Sequence, residues 1–245
     1  METFDVNEFI SEQNIPPYSC HGNVLEAPGI YLTEVSTHLW FGPDNKKVDR
    51  FWLDYIEAHT DERGASGARV LLTVIRMLLL DRLPDSDMQL GPNPEPSALE
   101  RSILYTAQII LDHHKELPDI LQEGRITRFL DQPVDVIRLK GLLDADAIQD
   151  WGIMAVSALV NLTGILRECY AFFETGQGHL GWGPPEISKE DVIDCLFGFE
   201  MPVVLRKIDS HYVYIGACYV VDIMDGDPLV GIEKGSQCIK RFNIV

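Results

Sequence analysis

Residues 170–229 read YAFFETGQGHLGWGPPEISKEDVIDCLFGFEMPVVLRKIDSHYVYIGACYVVDIMDGDPL, and they hold the strongest secondary-structure pattern in the chain. Short runs of Val, Ile, Leu, Phe and Tyr alternate with Gly, Pro and Asp, a pattern typical of strands joined by tight turns. The pairs Asp209-Ser210 and Asp225-Gly226 are turn signals. The stretch therefore predicts a compact β-module of about five or six strands.

The strand that begins after Pro202 alternates between two faces. Val203 and Leu205 lie on one face, and Val204 and Arg206 lie on the other. Residues 212–221 are apolar almost throughout, which predicts a strand covered on both faces in a small barrel or sandwich.

Two further features of the module concern its core and its end. Cys218 falls inside the apolar run and is expected to be a small core residue rather than a thiolate. Residues 239–245, IKRFNIV, predict a closing strand.

A second strand-like segment lies far upstream. Asn23 to Val35 alternates apolar and polar residues around Pro28-Gly29, which predicts two short strands or one bent strand. Apolar strands rarely leave a long sheet edge unpaired, because such an edge invites aggregation. We therefore expect residues near Ile30–Val35, which suit an edge strand, to pair with or pack directly against the C-terminal module, with the helices of residues 46–169 inserted between.

The middle of the chain has helical periodicity. Trp52 is expected on the buried side of an amphipathic helix over residues 46–59. A core helix runs from a Ser66 cap to about Leu83, and Ser97-Ala98-Leu99-Glu100 forms a capping box for a helix that ends near Lys115. Further helices are expected over residues 119–123, 134–142 and 144–168.

The sequence thus predicts an α+β protein in three parts. Residues 1–45 form an N-terminal segment with short strands, residues 46–169 form a helical, bundle-like middle part, and residues 170–245 form the small C-terminal barrel or sandwich that the N-terminal strand segment joins.

Composition excludes several classes of partner. The formal charge of −18 and a pI near 4.6 argue against binding nucleic acid, which needs a basic surface, and against an anionic membrane surface. The five cysteines are odd in number and scattered without a C-x-x-C pair, so neither a disulfide framework nor a zinc site is indicated. A reducing compartment fits this pattern. The acidic N-terminus lacks the features of a signal or transit peptide, and we expect a cytoplasmic protein.

Three groups of residues resemble ligand sites. Asp112-His113-His114 resembles part of a metal-dependent phosphoesterase site, but it closes an amphipathic helix, where histidines favourably face the helix dipole. Asp222, Asp225 and Asp227 lack the spacing of a calcium loop and indicate a hairpin turn. The glycines at 176, 178, 181 and 183 follow no strand-to-helix junction, so we interpret them as turn glycines with positive φ rather than a phosphate cradle. We expect no metal, no cofactor and no catalytic residue.

Arg206 is the one charged residue that stands out. Its guanidinium is expected to pair with Asp191 or Asp194 on the preceding strand, and the alternative is a contact with a ligand.

The same segments resemble the C-terminal region of fungal heterokaryon incompatibility (HET-domain) proteins. An aromatic strand leads through a Thr-x-x-Gly-x-Leu-Gly-x-Gly-Pro turn into a Pro-Val-x-Leu-Arg strand, followed by a Tyr-x-x-x-Gly-x-Cys-Tyr-Val strand and a Met-Asp-Gly turn. Leu25, Gly29 and Val35 resemble a weaker motif that precedes these. The family-motif positions, to which a structural role is assigned, are Phe173, Thr175, Gly178, Gly181, Gly183, Pro184, Pro202, Leu205, Arg206, Tyr212, Gly216, Tyr219, Met224 and Gly226.

The resemblance implies a biological role but neither a reaction nor a ligand. The Trp-Ile-Asp-Ala and Cys-Ile-Asn-Gln segments that mark the N-terminal HET domain do not occur in this sequence, so the resemblance covers the region after that domain. It implies a non-catalytic regulatory or protein-interaction module in self/non-self recognition, with a protein partner. The alternatives are an enzyme with a site in the cleft between the helical part and the β-module, or a truncated product without independent function. A deep polar pocket would favour the enzyme, and a large exposed apolar patch would favour the interaction module.

Two positions depart from the family pattern. Glu190 and Asp222 stand where the family has glycine, so each turn must use a residue that tolerates an unusual φ less readily.

Overall fold

The computed structural model describes residues 18–42, 51–52, 54–55, 58–59, 67–83, 88–111, 164–166, 168–224 and 239–245. The chain divides into two compact units. One combines both ends of the chain, Met1–Trp40 and Cys169–Val245, and the other is Phe41–Glu168.

The first unit is a nine-stranded sheet. Its strands are β1 (Ser19–His21), β2 (Val24–Leu39), β3 (Ala171–Thr175), β4 (Leu180–Gly183), β5 (Val192–Leu196), β6 (Val203–Ile208), β7 (His211–Ala217), β8 (Tyr219–Val220) and β9 (Ile239–Ile244). Six of them fall between residues 171 and 220, as the turn punctuation predicts, and β9 confirms the closing strand.

Five of these strands pair in a ring. The order β5-β6-β7-β9-β2 closes on itself because β5 also pairs with β2. The ring is uneven, since β7 and β9 meet at a single parallel bridge, Tyr212 to Ile244, whereas β2 pairs with β9 over Leu25–Ile30. β3, β4 and β8 continue the sheet from β2 outside the ring.

β2 is the strand that joins the two ends of the chain. Gly29–Glu34 pairs with β5, and Val35–Leu39 pairs with β3. The predicted pairing of Ile30–Val35 with the C-terminal module is confirmed. The expectation of an edge strand is wrong, because β2 has partners on both sides. Pro28 is tolerated there because it lies one residue outside the β2–β5 register, where its missing N–H leaves no gap in the ladder.

Apolar side chains fill both faces of the ring. The inner cluster draws only on ring strands: Ala27, Val192, Leu196, Val203, Leu205, Phe242 and Ile244. The outer cluster joins the other face of the ring to β3 and β8: Ile30, Leu32, Val35, Ala171, Phe173, Ile187, Ile193, Phe197, Val204, Cys218, Val220 and Ile223. Val203 and Leu205 therefore face away from Val204, and Cys218 is a core residue, as predicted.

Residues 212–221 do not form one covered strand, and this prediction is wrong. The run divides at Cys218 into β7 and β8. Only residues 218–221 are buried, while β7 is half-buried or exposed throughout. The reason is that β7 lies at the margin of both core clusters, to which it contributes only the half-buried Ile215 and Tyr212.

The second unit contains α1 (Gly67–Leu78) and α2 (Pro96–Leu111). α1 ends before the predicted Leu83, because Leu80 and Asp81 adopt positive φ and the Asp81 N–H bonds to the Arg76 carbonyl. The Asp81 carboxylate also accepts a 2.7 Å hydrogen bond from Nε of the buried Arg76. This ion pair turns the chain back at the helix end.

α2 begins at Pro96 instead of after a Ser97 cap. Proline suits the first helical position because its missing N–H needs no partner there. The Leu99 N–H completes the first turn by bonding to the Glu95 carbonyl. Residues 51–52, 54–55 and 58–59 are helical, and Trp52 is buried as predicted.

Several predictions fall outside the described residues. These are the helices over 119–123 and 134–142, most of 144–168, the Asp112-His113-His114 triplet, and the turn residues 225–227. The described helices do not show a bundle. Among them, none is both long and apolar enough to cross a membrane.

Candidate functional site

The turn that leads into β5 is held by Arg206. Its Nε donates to Asp191 Oδ1 at 2.8 Å and its Nη2 donates to Asp191 Oδ2 at 2.9 Å. Nη2 also donates to the Glu186 carbonyl at 2.7 Å. The Asp191 side chain is 3% exposed and that of Arg206 is 37% exposed. Of the two partners predicted for Arg206, the structure selects Asp191, and the hydrogen bonds with Asp191 raise the pKa of the guanidinium.

Asp191 also organises its own turn. Its Oδ2 accepts a 2.7 Å hydrogen bond from the Ser188 N–H, and its backbone N–H donates to the Ser188 carbonyl. Val35 of β2 bonds to both sides of this turn, since its N–H donates to the Asp191 carbonyl and its carbonyl accepts from the Glu190 N–H. One carboxylate thus links the turn, β6 and, through the backbone, β2.

Both positions that depart from the family glycines keep a left-handed backbone. Glu190 has φ 73° and Asp222 has φ 70°. The turn geometry therefore survives the loss of glycine, at the steric cost that a Cβ incurs in this region.

The glycines of the aromatic turn have two different tasks. Gly178 has φ 86° and supplies a turn, as predicted, whereas Gly176 lies in the same turn without a positive φ. Gly181 and Gly183 lie inside β4, so the turn interpretation is wrong for them. A Cβ on Gly181 would lie 2.5 Å from the Phe173 ring and would also meet the Tyr219 carbonyl, so these glycines admit close packing of Phe173.

Asp194 is the unexpected group of the ring. It lies between Val192 and Leu196 of β5, which belong to the inner cluster, so strand alternation turns its side chain to the same inner face. The residue is 0% exposed, and among the described residues neither carboxylate oxygen has a hydrogen-bond partner. Burial raises the pKa of Asp194 to about 8, and Lys240 opposes part of that shift.

Aromatic and charged groups from three strands face Asp194. Tyr31 is its register partner on β2, and burial together with the hydrogen bond to Glu34 raises the pKa of Tyr31 to about 12. Burial and Asp194 raise the pKa of Tyr212 on β7. The Lys240 ammonium on β9 sits 4.3 Å from the centroid of the Tyr31 ring. We call Asp194, Tyr31, Tyr212 and Lys240 the ring-interior cluster, in which Asp194 is buried, the two tyrosines are half-buried and Lys240 is exposed.

Sequence reasoning named Asp194 only as a possible partner of Arg206. The available signal was its position: an aspartate inside the strand VIDCL, whose neighbours at both alternate positions are apolar. A carboxylate on a core-facing position without a cation at the facing register positions indicates an unpaired buried charge.

A second feature is an exposed apolar surface around the connection from β5 to β6. Phe199, Met201, Tyr214 and Tyr18 are each between 39% and 45% exposed. The Phe199 and Tyr214 rings lie 6.4 Å apart, and the Tyr18 hydroxyl closely approaches Gly198. We call these four residues the hairpin patch.

The family-motif residues are distributed through the sheet rather than gathered at one point. Phe173, Thr175, Gly181, Gly183, Pro202, Leu205 and Tyr219 are buried, Gly178, Pro184, Arg206, Tyr212, Gly216 and Met224 are half-buried, and Gly226 lies outside the described residues. Thr175 Oγ1 accepts a hydrogen bond from the His179 N–H, and a Cβ on Gly216 would meet Pro184. Within the described ranges, no three His, Cys, Asp or Glu side chains are placed to hold a metal ion.

Residues 153–235, about a third of the chain, match the family model of the Het-6 beta-barrel domain. The match confirms the resemblance of this segment to the C-terminal region of fungal HET-type proteins. β2 and β9 lie outside the matched segment although both belong to the ring. No curated protein and no solved structure matches the chain.

Proposed function

We propose that the chain is a non-catalytic regulatory or protein-interaction module of a HET-type fungal self/non-self recognition protein. The Het-6 beta-barrel match supports the HET lineage. The hairpin patch is the observation that carries the interaction role, because a protein partner is the usual occupant of clustered exposed aromatic and Met side chains.

The composition of the hairpin patch resembles that of binding interfaces. Tyr, Phe and Met are enriched at protein interfaces, and aromatic anchors carry much of the binding energy. Tyr214 is presented on a strand and Phe199 on the short connection that β5 and β6 hold at both ends. The chain's charge of −18 favours a partner with a basic or neutral face.

The test is affinity capture from fungal lysate with the full chain as bait. We expect a protein retained by the unchanged chain and lost, by at least tenfold, from a Phe199→Ser, Tyr214→Ser double variant. An Ile208→Ser variant is the matched control, because Ile208 is 51% exposed but outside the hairpin patch. Equal retention by all three baits would contradict the proposed surface.

The enzyme alternative has its own assay. Incubating the purified chain with NAD and following nicotinamide release is expected to show no turnover. Turnover abolished by a single substitution in this chain would replace the non-catalytic proposal with an enzymatic one.

A further inference from the structure

Three observations meet at the ring-interior cluster. Asp194 is fully buried on the inner face, and no described residue offers either of its oxygens a hydrogen bond. Besides Tyr31 on β2, two of the groups that face it stand on the strands whose mutual pairing is weakest in the ring, Tyr212 on β7 and Lys240 on β9. Tyr212 is itself the residue of the single β7–β9 bridge.

We propose that Asp194 is a proton-operated latch of the five-stranded ring: the protonated carboxyl keeps the ring closed, and ionisation opens the seam between β7 and β9.

The closed state requires a neutral carboxyl. A carboxylate without hydrogen bonds in an apolar interior is strongly disfavoured, so the proton stays on Asp194 to a higher pH than in the unfolded chain. The inner cluster around it, including Val192, Leu196 and Val203, offers no polar partner.

The pairing between β7 and β9 is the weakest in the ring, so opening it should require the least free energy. Every other neighbouring pair in the ring shares at least three register pairs, whereas β7 and β9 share one, supported by the Val245 N–H bond to the Tyr212 carbonyl. Opening there admits water to Asp194 without breaking the long ladders of β2.

Lys240 is the counter-ion of the open state. Its ammonium rests on the Tyr31 ring, near enough to Asp194 to lower the pKa of that carboxyl. The other titratable groups that interact with Asp194 are Tyr31 of β2, Tyr212 of β7, the adjacent Cys195 and the buried Cys218, and none of them is a cation. Glu34 lies one step further away, on the Tyr31 hydroxyl. An ionised Asp194 therefore draws Lys240 away from Tyr31.

The sign of the pH effect follows from linkage. The folded pKa of about 8 lies above the unfolded value, so the native state holds one more proton between the two. The contribution of Asp194 to the free energy of unfolding is greatest below about pH 4. Above that pH the folding equilibrium constant falls about tenfold per pH unit, and it levels off beyond the folded pKa.

The experiment measures urea unfolding of the full chain and of Asp194→Asn between about pH 5 and pH 9. This interval lies above the pKa of Asp194 in the unfolded chain and extends past its pKa in the folded chain. We expect the ratio of unfolding constants, unchanged chain over variant, to rise about tenfold per pH unit and to flatten near the folded pKa. A ratio that does not change with pH overturns the proposal.

Two further measurements keep the test independent of the Asn variant. Lys240→Met removes the counter-ion and should move the flattening point to higher pH, and an unmoved point contradicts its role. Hydrogen exchange should accelerate with pH at Tyr212 and Val245 more than at Phe173 of β3, after correction for intrinsic rates. Equal acceleration at all three sites would place the opening elsewhere and overturn the seam.

Discussion

The turn before β5 and the middle of β5 each bury an aspartate, and the two carboxylates have opposite surroundings. Asp191 accepts two hydrogen bonds from Arg206 and one from the Ser188 N–H. Asp194, three positions further along, has no such partner in the described part of the chain. Both residues are at most 2% exposed. The comparison shows that burial alone does not determine what a carboxylate contributes to stability. The presence of hydrogen-bond donors decides whether the ionised carboxylate is stabilised or the group stays protonated.

The position of the cation explains the difference. Arg206 stands on the outer face of β6, where its guanidinium reaches Asp191 while remaining partly in water. The inner face of the ring is apolar apart from its rim, and the lysine nearest to Asp194 rests on an aromatic ring. One aspartate thus fastens β5 to β6, and the other makes the ring sensitive to protons.

Deleting residues 1–40 has the largest expected effect, because it removes a support that both aspartates share. β2 places Tyr31 opposite Asp194, and through Val35 it bonds the backbone of the Asp191 turn. The remaining ring would have two open edges, so we expect an insoluble or unfolded product, and the same for residues 170–245 alone.

The matched control is a chain that lacks only residues 1–17, which retains every described strand. We expect it to stay soluble with an unchanged far-ultraviolet circular dichroism spectrum. Cooperative unfolding of the 170–245 fragment would show that β2 is dispensable and would contradict the assignment of the ring.

Arg206→Ala has the next largest effect. It leaves the buried Asp191 carboxylate with the Ser188 N–H as its remaining donor, so we expect a loss of about 2–3 kcal/mol in the free energy of unfolding. Arg206→Lys is the control: it keeps the charge but loses the two-point geometry, and should cost less. A neutral result in urea titration would show that the pair contributes nothing and would reopen a ligand role for Arg206.

Asp191→Asn sharpens the comparison from the other side. The half-exposed guanidinium can be hydrated when its partner becomes neutral, so we expect a smaller loss of about 1–2 kcal/mol. Combined with Arg206→Ala in a double-mutant cycle, the two changes should be non-additive by about 1 kcal/mol or more. Strict additivity would mean that the contact carries no coupling energy. Near neutral pH, Asp194→Asn should instead raise the free energy of unfolding.

The sequence predicts the strands better than their partners. Alternation and turn residues predict the strands of the C-terminal module, apart from the break at Cys218 that separates β7 from β8, because these signals are local. The charge of Arg206 within a strand likewise predicts a carboxylate nearby. The choice between Asp191 and Asp194 depends on a register that brings Val192 opposite Leu205, which no local pattern encodes. The early end of α1 has a different and local cause, because the Arg76–Asp81 pair, five residues apart, competes with helical continuation.

The smallest expected effect concerns Glu190, the residue directly before Asp191. Its φ of 73° lies in the left-handed region, where a Cβ costs about 1–2 kcal/mol and glycine costs about 0.5–1 kcal/mol in chain entropy. Glu190→Gly should therefore stabilise the chain by about 0.5–1 kcal/mol, because its N–H bond to the Val35 carbonyl does not depend on the side chain. The urea midpoint should rise at constant slope. Lys189→Gly is the matched control, as the adjacent exposed position has no positive φ and should lose stability by a similar amount. If both glycine variants lose stability equally, the turn stores no strain at Glu190, and the Asp191 turn is held by its hydrogen bonds alone.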